Sequence, residues 1–358
     1  MFYIFSMAWM ACNNESKPDA ADTGLLVEDT GEVVAEECEA TIVDQSPSNG
    51  TGGWFYRDSV TVVFSESNPT FSITATDSTG AEVPVGYEWD ETRFNITIVP
   101  ESGSWDSSES YNLLFDLCGS QPEISFSTSS YGDELTINPT DLIGQTYLIA
   151  LDEAEYIEPP GVGALLSTFI DMPLLFGVST LVGDEIDFVA NLGERDDVTG
   201  LFEPVGSQWS FGGVDFSTRP YFSAQTEQLV IPYATAEIPV FDFSISGTFS
   251  ADGEVIGEAR FSGLGDTSGM GVLLNMGTEP NAVCTGLLST VGLDCIECPN
   301  STSNMESGGM GDGDCLDDED NDGDGFADHD DPDCELYCIR LTGIIDEAAL
   351  IPGLDISQ

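Results

Sequence analysis

The sequence predicts an all-β protein, a β-sandwich followed by a larger antiparallel sheet or barrel, with short helices and one inserted acidic loop. Three observations predict it. Short segments that alternate apolar and polar residues recur along most of the chain, at the two-residue period of half-buried strands. Gly, Asn, Asp, Ser and Pro separate them at turn spacing. Two stretches, 161–177 and 279–292, depart from that pattern.

A length of 358 residues suffices for two domains with cores of their own. A composition of 41% hydrophobic and 10% aromatic residues is globular rather than disordered. Charge is far from balance: 65 Asp and Glu face 7 Lys and Arg, for a net −58. Such a surface repels nucleic acid and anionic lipid and attracts cations. It fits an acidic secreted protein, or one adapted to a salty medium where screening relieves self-repulsion.

The N-terminal segment MFYIFSMAWMAC is an apolar run ending at Cys12, too short to span a bilayer as a helix. It resembles a bacterial lipoprotein signal, with Ala11 before the cleavage point and Cys12 as the lipid-bearing residue. That implies export and membrane attachment through an N-terminal lipid, at the bacterial outer membrane or cell surface. The alternative is a plain cleaved signal and a secreted protein. Residues 13–37 form an acidic tether in which Lys17 is the one cation.

Residues 38–132 hold strand patterns at 59–66, 71–77, 93–100, 111–118 and 123–129. Turns are expected at SPSNGTGG (46–53), DSTG (77–80) and ESGSWDSSES (101–110). Strands this short and this frequent indicate a sandwich. The order of Ser46, Pro47 and Gly50, then Val62, Phe64, Ser65 and Glu66, then Ile98 and Pro100, Tyr111, and Phe126 to Thr128 resembles the bacterial Ig-like domain of S-layer and surface proteins, over residues 39–130. The resemblance implies a spacer or adhesive module.

The larger β-rich domain covers 133–358, with strand candidates at 145–151, 173–182, 185–192, 227–234, 240–250 and 254–263. Asp252-Gly253 offers the positive-φ residues of a tight hairpin between the last two. In 240–250, Phe241, Phe243, Ile245, Gly247 and Phe249 are expected on one face, and Asp242, Ser244, Ser246 and Thr248 on the other. The apolar stretch 161–177 and the helically spaced 279–292 read as core packing, or alternatively as walls of a cavity for an apolar ligand.

Nine cysteines leave eight once Cys12 carries lipid, an even set that suggests disulfides in an exported protein. The expected pairs are Cys38–Cys118 clamping the sandwich, Cys315–Cys334 across the base of the acidic loop and Cys298–Cys338 closing its stem. Cys284–Cys295 remain as the last pair. Zinc at CIEC (295–298) is the rival reading, with His329 the one histidine of the chain.

Residues 299–337 read as an insertion of linker composition carrying DEDNDGDGFADHDDPDC (318–334). Asp320, Asp322, Asp324, Asp328 and Asp331 occupy positions 1, 3, 5, 9 and 12 of a twelve-residue window, with Gly325 at the sharp turn. Phe326 offers its backbone carbonyl at position 7. Alternate carboxylates converging on one ion are what calcium requires, and Mg²⁺ demands a tighter octahedron. The spacing resembles the thrombospondin type 3 repeat. Amphipathic helices do not flank it, so an EF-hand sensor is excluded.

The sequence lacks G-x-S-x-G, a Walker loop and G-x-G-x-x-G after a strand, so triad, P-loop and Rossmann chemistry lose support. No catalytic residue is nominated. The expectation is an exported, lipid-anchored surface protein with a structural or adhesive role, calcium-stabilised, meeting a surface protein, a glycan or an apolar ligand. Alternatives are a carrier of an apolar small molecule in 133–358 and a carbohydrate-active enzyme.

Overall fold

The computed structural model describes residues 39–159, 172–196, 198–233, 236–277, 282–284, 286, 295, 296, 298, 299 and 337–358. Ala40–Gln358 form one compact unit, and within it two separate apolar cores, one built from residues 40–126 and one from 142–348, mark two β-domains.

The first contains β1 (Ile42–Ser46), β2 (Thr51–Trp54), β3 (Val60–Phe64), β4 (Phe71–Asp77), β5 (Glu82–Val83), β6 (Val85–Trp89), β7 (Asn95–Pro100), β8 (Ser110–Leu117) and β9 (Glu123–Thr128). One sheet has the order β1-β3-β7-β6 and the other β2-β9-β8-β4-β5. The chain changes sheets between β1 and β2, and β2 then runs parallel to β9. Strict alternation puts Val60, Val62 and Phe64 of β3 and Ile96 and Ile98 of β7 against Leu113, Phe115 and Leu117 of β8. Those inner faces make the sandwich core. Part of SPSNGTGG, expected to be all turn, is strand: Thr51–Trp54 pair with β9.

The second domain contains β10 (Thr146–Ile149), β11 (Glu155–Glu158), β12 (Leu174–Val182), β13 (Glu185–Arg195), β14 (Phe202–Asp215), β15 (Tyr221–Tyr233), β16 (Ala236–Phe249), β17 (Val255–Asp266) and β18 (Cys338–Leu350). Their order is β14-β13-β12-β10-β18-β17-β16-β15, with β11 also paired to β18. The sheet curls until its two ends share one core. Phe188 of β13 lies 4.7 Å from Phe222 of β15, and Phe222 lies 5.2 Å from Phe249 of β16. The result is a nearly closed antiparallel barrel filled by Phe176, Phe188, Phe211, Phe222, Phe249 and Tyr147. β12 is buried on both faces because Leu175 points outward into a small cluster with Val189 and Ile356 of the C-terminal tail. A strand buried on both sides reads as a continuous apolar run rather than an alternating one, which accounts for the unpatterned PLLFG.

Two details depart from expectation. The β16–β17 turn uses one left-handed residue, Gly253 (φ +73), whose N–H donates to the Ser250 carbonyl at 2.8 Å, and Asp252 is not among the positive-φ residues. In β16, Asp242 (φ +48) sits in a bulge where the register with β17 shifts. The bulge reverses the alternation, so Val240 joins Phe243, Ile245 and Phe249 inside the barrel, whereas Phe241 turns out. The helical elements are short: 3₁₀ turns at Pro139–Leu142 and Leu151–Glu153, and one turn of α-helix at Met270–Leu273. Residues 282–284 and 286 of the helically spaced stretch are helical.

Candidate functional site

The residues expected to ligate calcium (Asp320, Asp322, Asp324, Phe326, Asp328, Asp331) lie outside the described residues, as do Cys12, Cys38, Cys315 and Cys334. Where the insertion joins the barrel is described. Cys298 and Cys338 form a disulfide with Cα atoms 5.1 Å apart, and Cys284 pairs with Cys295. These are two of the pairs named from the sequence, and four cysteines held in disulfides leave no thiolate there for zinc. Cys118 is also disulfide-bonded.

Both ends of the insertion meet at the first residue of β18. Cys338 is fully buried, and its backbone exchanges two hydrogen bonds with Ile296, at 2.8 and 3.0 Å. Thr267, the residue after β17, donates its hydroxyl to the Tyr337 carbonyl at 2.7 Å. An apolar cap covers the disulfides: Tyr337, Ile339 and Leu341, with Phe241 and Leu264 against them. Phe241 reaches this cap because the bulge at Asp242 turned it outward. A local backbone irregularity thus supplies the cover for the anchor point of the acidic insertion.

The second organised region is the seam between sandwich and barrel. The β2–β3 loop buries Phe55 and Tyr56 and presents Arg57 and Asp58. Arg260 of β17 pairs with the Asp58 carboxylate at 2.7 Å and lies 5.2 Å from the Phe55 ring centroid. Trp105 fixes the loop from the sandwich side, its indole N–H donating to the Asp58 carbonyl and its backbone N–H to the Tyr56 carbonyl, both at 2.9 Å. Further along, the Tyr131 hydroxyl donates to Glu347 of β18 at 2.8 Å. The Tyr131 ring lies so close to Gly257 that a Cβ there would sit 2.2 Å from it. Burial raises the carboxyl of Glu258, the bulged residue of β17 (φ +49), above its ordinary value, and Arg260 only partly offsets that.

A cleft of about 250 Å³ opens on this seam between Tyr56, Arg57, Ser102–Ser104 and Gly132 of the sandwich side and Thr218–Pro220 of the barrel. Sequence reasoning passed over Arg57 and Arg219. Their signal was rarity, since a chain with only 7 cations makes the place of each informative.

The barrel interior holds a wholly apolar void of about 30 Å³, bordered by Leu174, Trp209, Leu229, Phe243 and Phe261 among others. That is room for about one water, against the several hundred Å³ of small-molecule sites. Among the described residues, no group of three or more His, Cys, Asp or Glu side chains is placed to hold a metal.

No protein-family model and no curated protein matches the chain. Among solved structures, CopC from Methylosinus trichosporium OB3b is similar at 22% identity, over 25% of this chain and 93% of its own, with a TM-score of 0.22. A likeness at that score bears on neither the fold nor the ligand of this chain.

Proposed function

We propose that the protein is an exported, lipid-anchored surface protein whose sandwich and barrel form one stiff body that presents a calcium-stabilised loop, in a structural or adhesive role. The observation that carries this reading is the anchoring of the acidic insertion. Cys298–Cys338 brings both of its ends to the first residue of a central barrel strand. Disulfides at that point are in keeping with an oxidising compartment outside the cytoplasm. The twelve-residue spacing from Asp320 to Asp331 supplies carboxylates at the positions calcium uses. Bound calcium would offset their mutual repulsion and give the loop one shape. The seam joining Asp58 to Arg260 and Tyr131 to Glu347 supports presentation of the loop by a rigid body rather than by two freely jointed domains. A carrier of an apolar ligand would need an interior space larger than the void among the described residues.

Scanning calorimetry with and without EGTA tests the reading. Chelation should lower the barrel's melting temperature and leave the sandwich core intact, and Asp320→Asn with Asp324→Asn should reproduce the effect with calcium present. A melt indifferent to EGTA removes the calcium reading.

A further inference from the structure

In a chain with 65 carboxylates, an arginine without an acidic partner stands out. Arg219, Arg260 and Arg340 pair with Asp184, Asp58 and Glu158, and Arg93 and Arg195 donate to Asn68 Oδ1 and the Gly200 carbonyl. Arg57 has no acceptor or carboxylate partner among the described residues. Aromatic rings hold it instead, with its guanidinium 3.8 Å from the Tyr221 centroid and 5.9 Å from that of Tyr56. Stacking occupies the face of a guanidinium and leaves its edge, with the N–H donors, free for a planar bidentate acceptor.

Arg57 lines the seam cleft. Arg219 lines the same cleft from the barrel side, and Ser102, Ser104 and Thr218 add hydroxyl groups. The sandwich wall is set in place by the hydrogen bonds of Trp105 and the Arg260–Asp58 pair, and the barrel wall by the Phe249 N–H donating to the Pro220 carbonyl at 3.1 Å, so a ligand would meet a preformed site. The net charge of −58 does not forbid an anion here, because at physiological salt the Debye length is about 8 Å and distant carboxylates are screened.

We propose that this cleft binds the carboxylate of an acidic saccharide, a uronate. Arg57 grips the carboxylate through its free edge, and the serine and threonine hydroxyls meet those of the sugar, whereas the charge of Arg219 is taken up by Asp184. The carboxylate follows from the planar fork of Arg57, and the sugar from the hydroxyl-lined, open cleft. The assignment deepens the adhesive reading and rests on it for the place where glycan is met. It does not depend on the calcium loop.

Isothermal titration of the full chain with trigalacturonate, and with a neutral galactose trisaccharide as control, tests the proposal. EGTA is present throughout, so that calcium cannot bridge uronate to the acidic insertion and failure of the calcium reading is scored separately. Wild-type protein should bind the uronate and ignore the neutral sugar. Arg57→Gln should weaken binding about tenfold or more, as loss of a charge-assisted pair does, and Arg57→Lys, which keeps the charge and loses the fork, should fall between. Ser102→Trp fills the cleft from an exposed loop without replacing Arg57, and should abolish binding even if Arg57→Gln disturbs the seam. Absence of uronate binding by the wild type overturns the proposal, as does equal binding of the neutral sugar or binding unaffected by Ser102→Trp.

Discussion

Replacing Cys298 and Cys338 together by alanine cuts the link that gathers the acidic insertion. The bridge spans a sequence separation of 40. Loop-closure entropy for a ring of that size corresponds to about 4 kcal/mol at 25 °C, against about 3 kcal/mol for the separation of 11 between Cys284 and Cys295. Each Cys→Ala pair also removes two sulfurs, of which that of Cys295 is only partly buried, so most of the difference between the pairs reports the ring. Urea unfolding followed by far-UV circular dichroism should show the Cys298/Cys338 variant losing about 4 kcal/mol, about 1 kcal/mol more than the Cys284/Cys295 variant. The urea m-value should rise with it, because the entropic effect acts on the unfolded chain, which becomes less compact. A loss below about 1 kcal/mol, or a full loss with an unchanged m-value, would refute the ring-closure argument and shift the role of the bridge to native-state packing.

Two further outcomes concern the seam. Gly257→Val drives a side chain into the Tyr131 ring, where even a Cβ would lie at 2.2 Å, and should cost about 1–3 kcal/mol. Calorimetry should then show the barrel and sandwich transitions move further apart than in the wild type; an unchanged profile would count against a coupled seam. For Glu258, burial raises the folded carboxyl above its ordinary 4.5, so the folded state holds the proton more tightly than the unfolded chain. Stability therefore declines as pH rises from about 4.5 through the raised value, and Glu258→Gln should flatten that decline; an identical pH profile for the variant would remove the assignment.

Legibility in the sequence followed position within the sheets. β3, β4, β7, β8 and β9 were readable because each carries an apolar residue at every second position, facing a core. The strands that escaped notice are at sheet edges or beside them: β1 and β6 end one sandwich sheet, β2 and β5 the other, β14 ends the barrel sheet, and β11 pairs with β18 off the main strand order. An edge strand has one ladder and looser burial, so its sequence carries polar and glycine residues without alternation, as FEPVGSQWSFGGVD of β14 does. The faces of β16 were half legible, since nothing in FDFSIS announces the bulge at Asp242 that turns Phe241 outward. The disulfide anchor could be read from cysteine spacing. The seam could not, because its partners are distant in the chain: Asp58 and Arg260 are 202 residues apart, and Tyr131 and Glu347 are 216. Carboxylates that shape turns, such as Asp77 with Thr79 and Asp187 with Thr180, were submerged in the general acidity, although those hydrogen bonds lower both below their ordinary value.

The bridge between Cys298 and Cys338 also has a mechanical meaning. With its two ends fastened within 5.1 Å of each other, the insertion hangs from the barrel as a closed ring rather than as a length of chain spliced between strands. A pull on a ring cannot draw its two roots apart. Tension applied to the acidic loop by a bound partner would enter the barrel at one point, the buried head of β18, and spread along its ladder with β17 from Asp266↔Cys338 to Val255↔Ala349. The same geometry makes the ring exchangeable: its length and contents could change in evolution while the strand that carries it keeps its register.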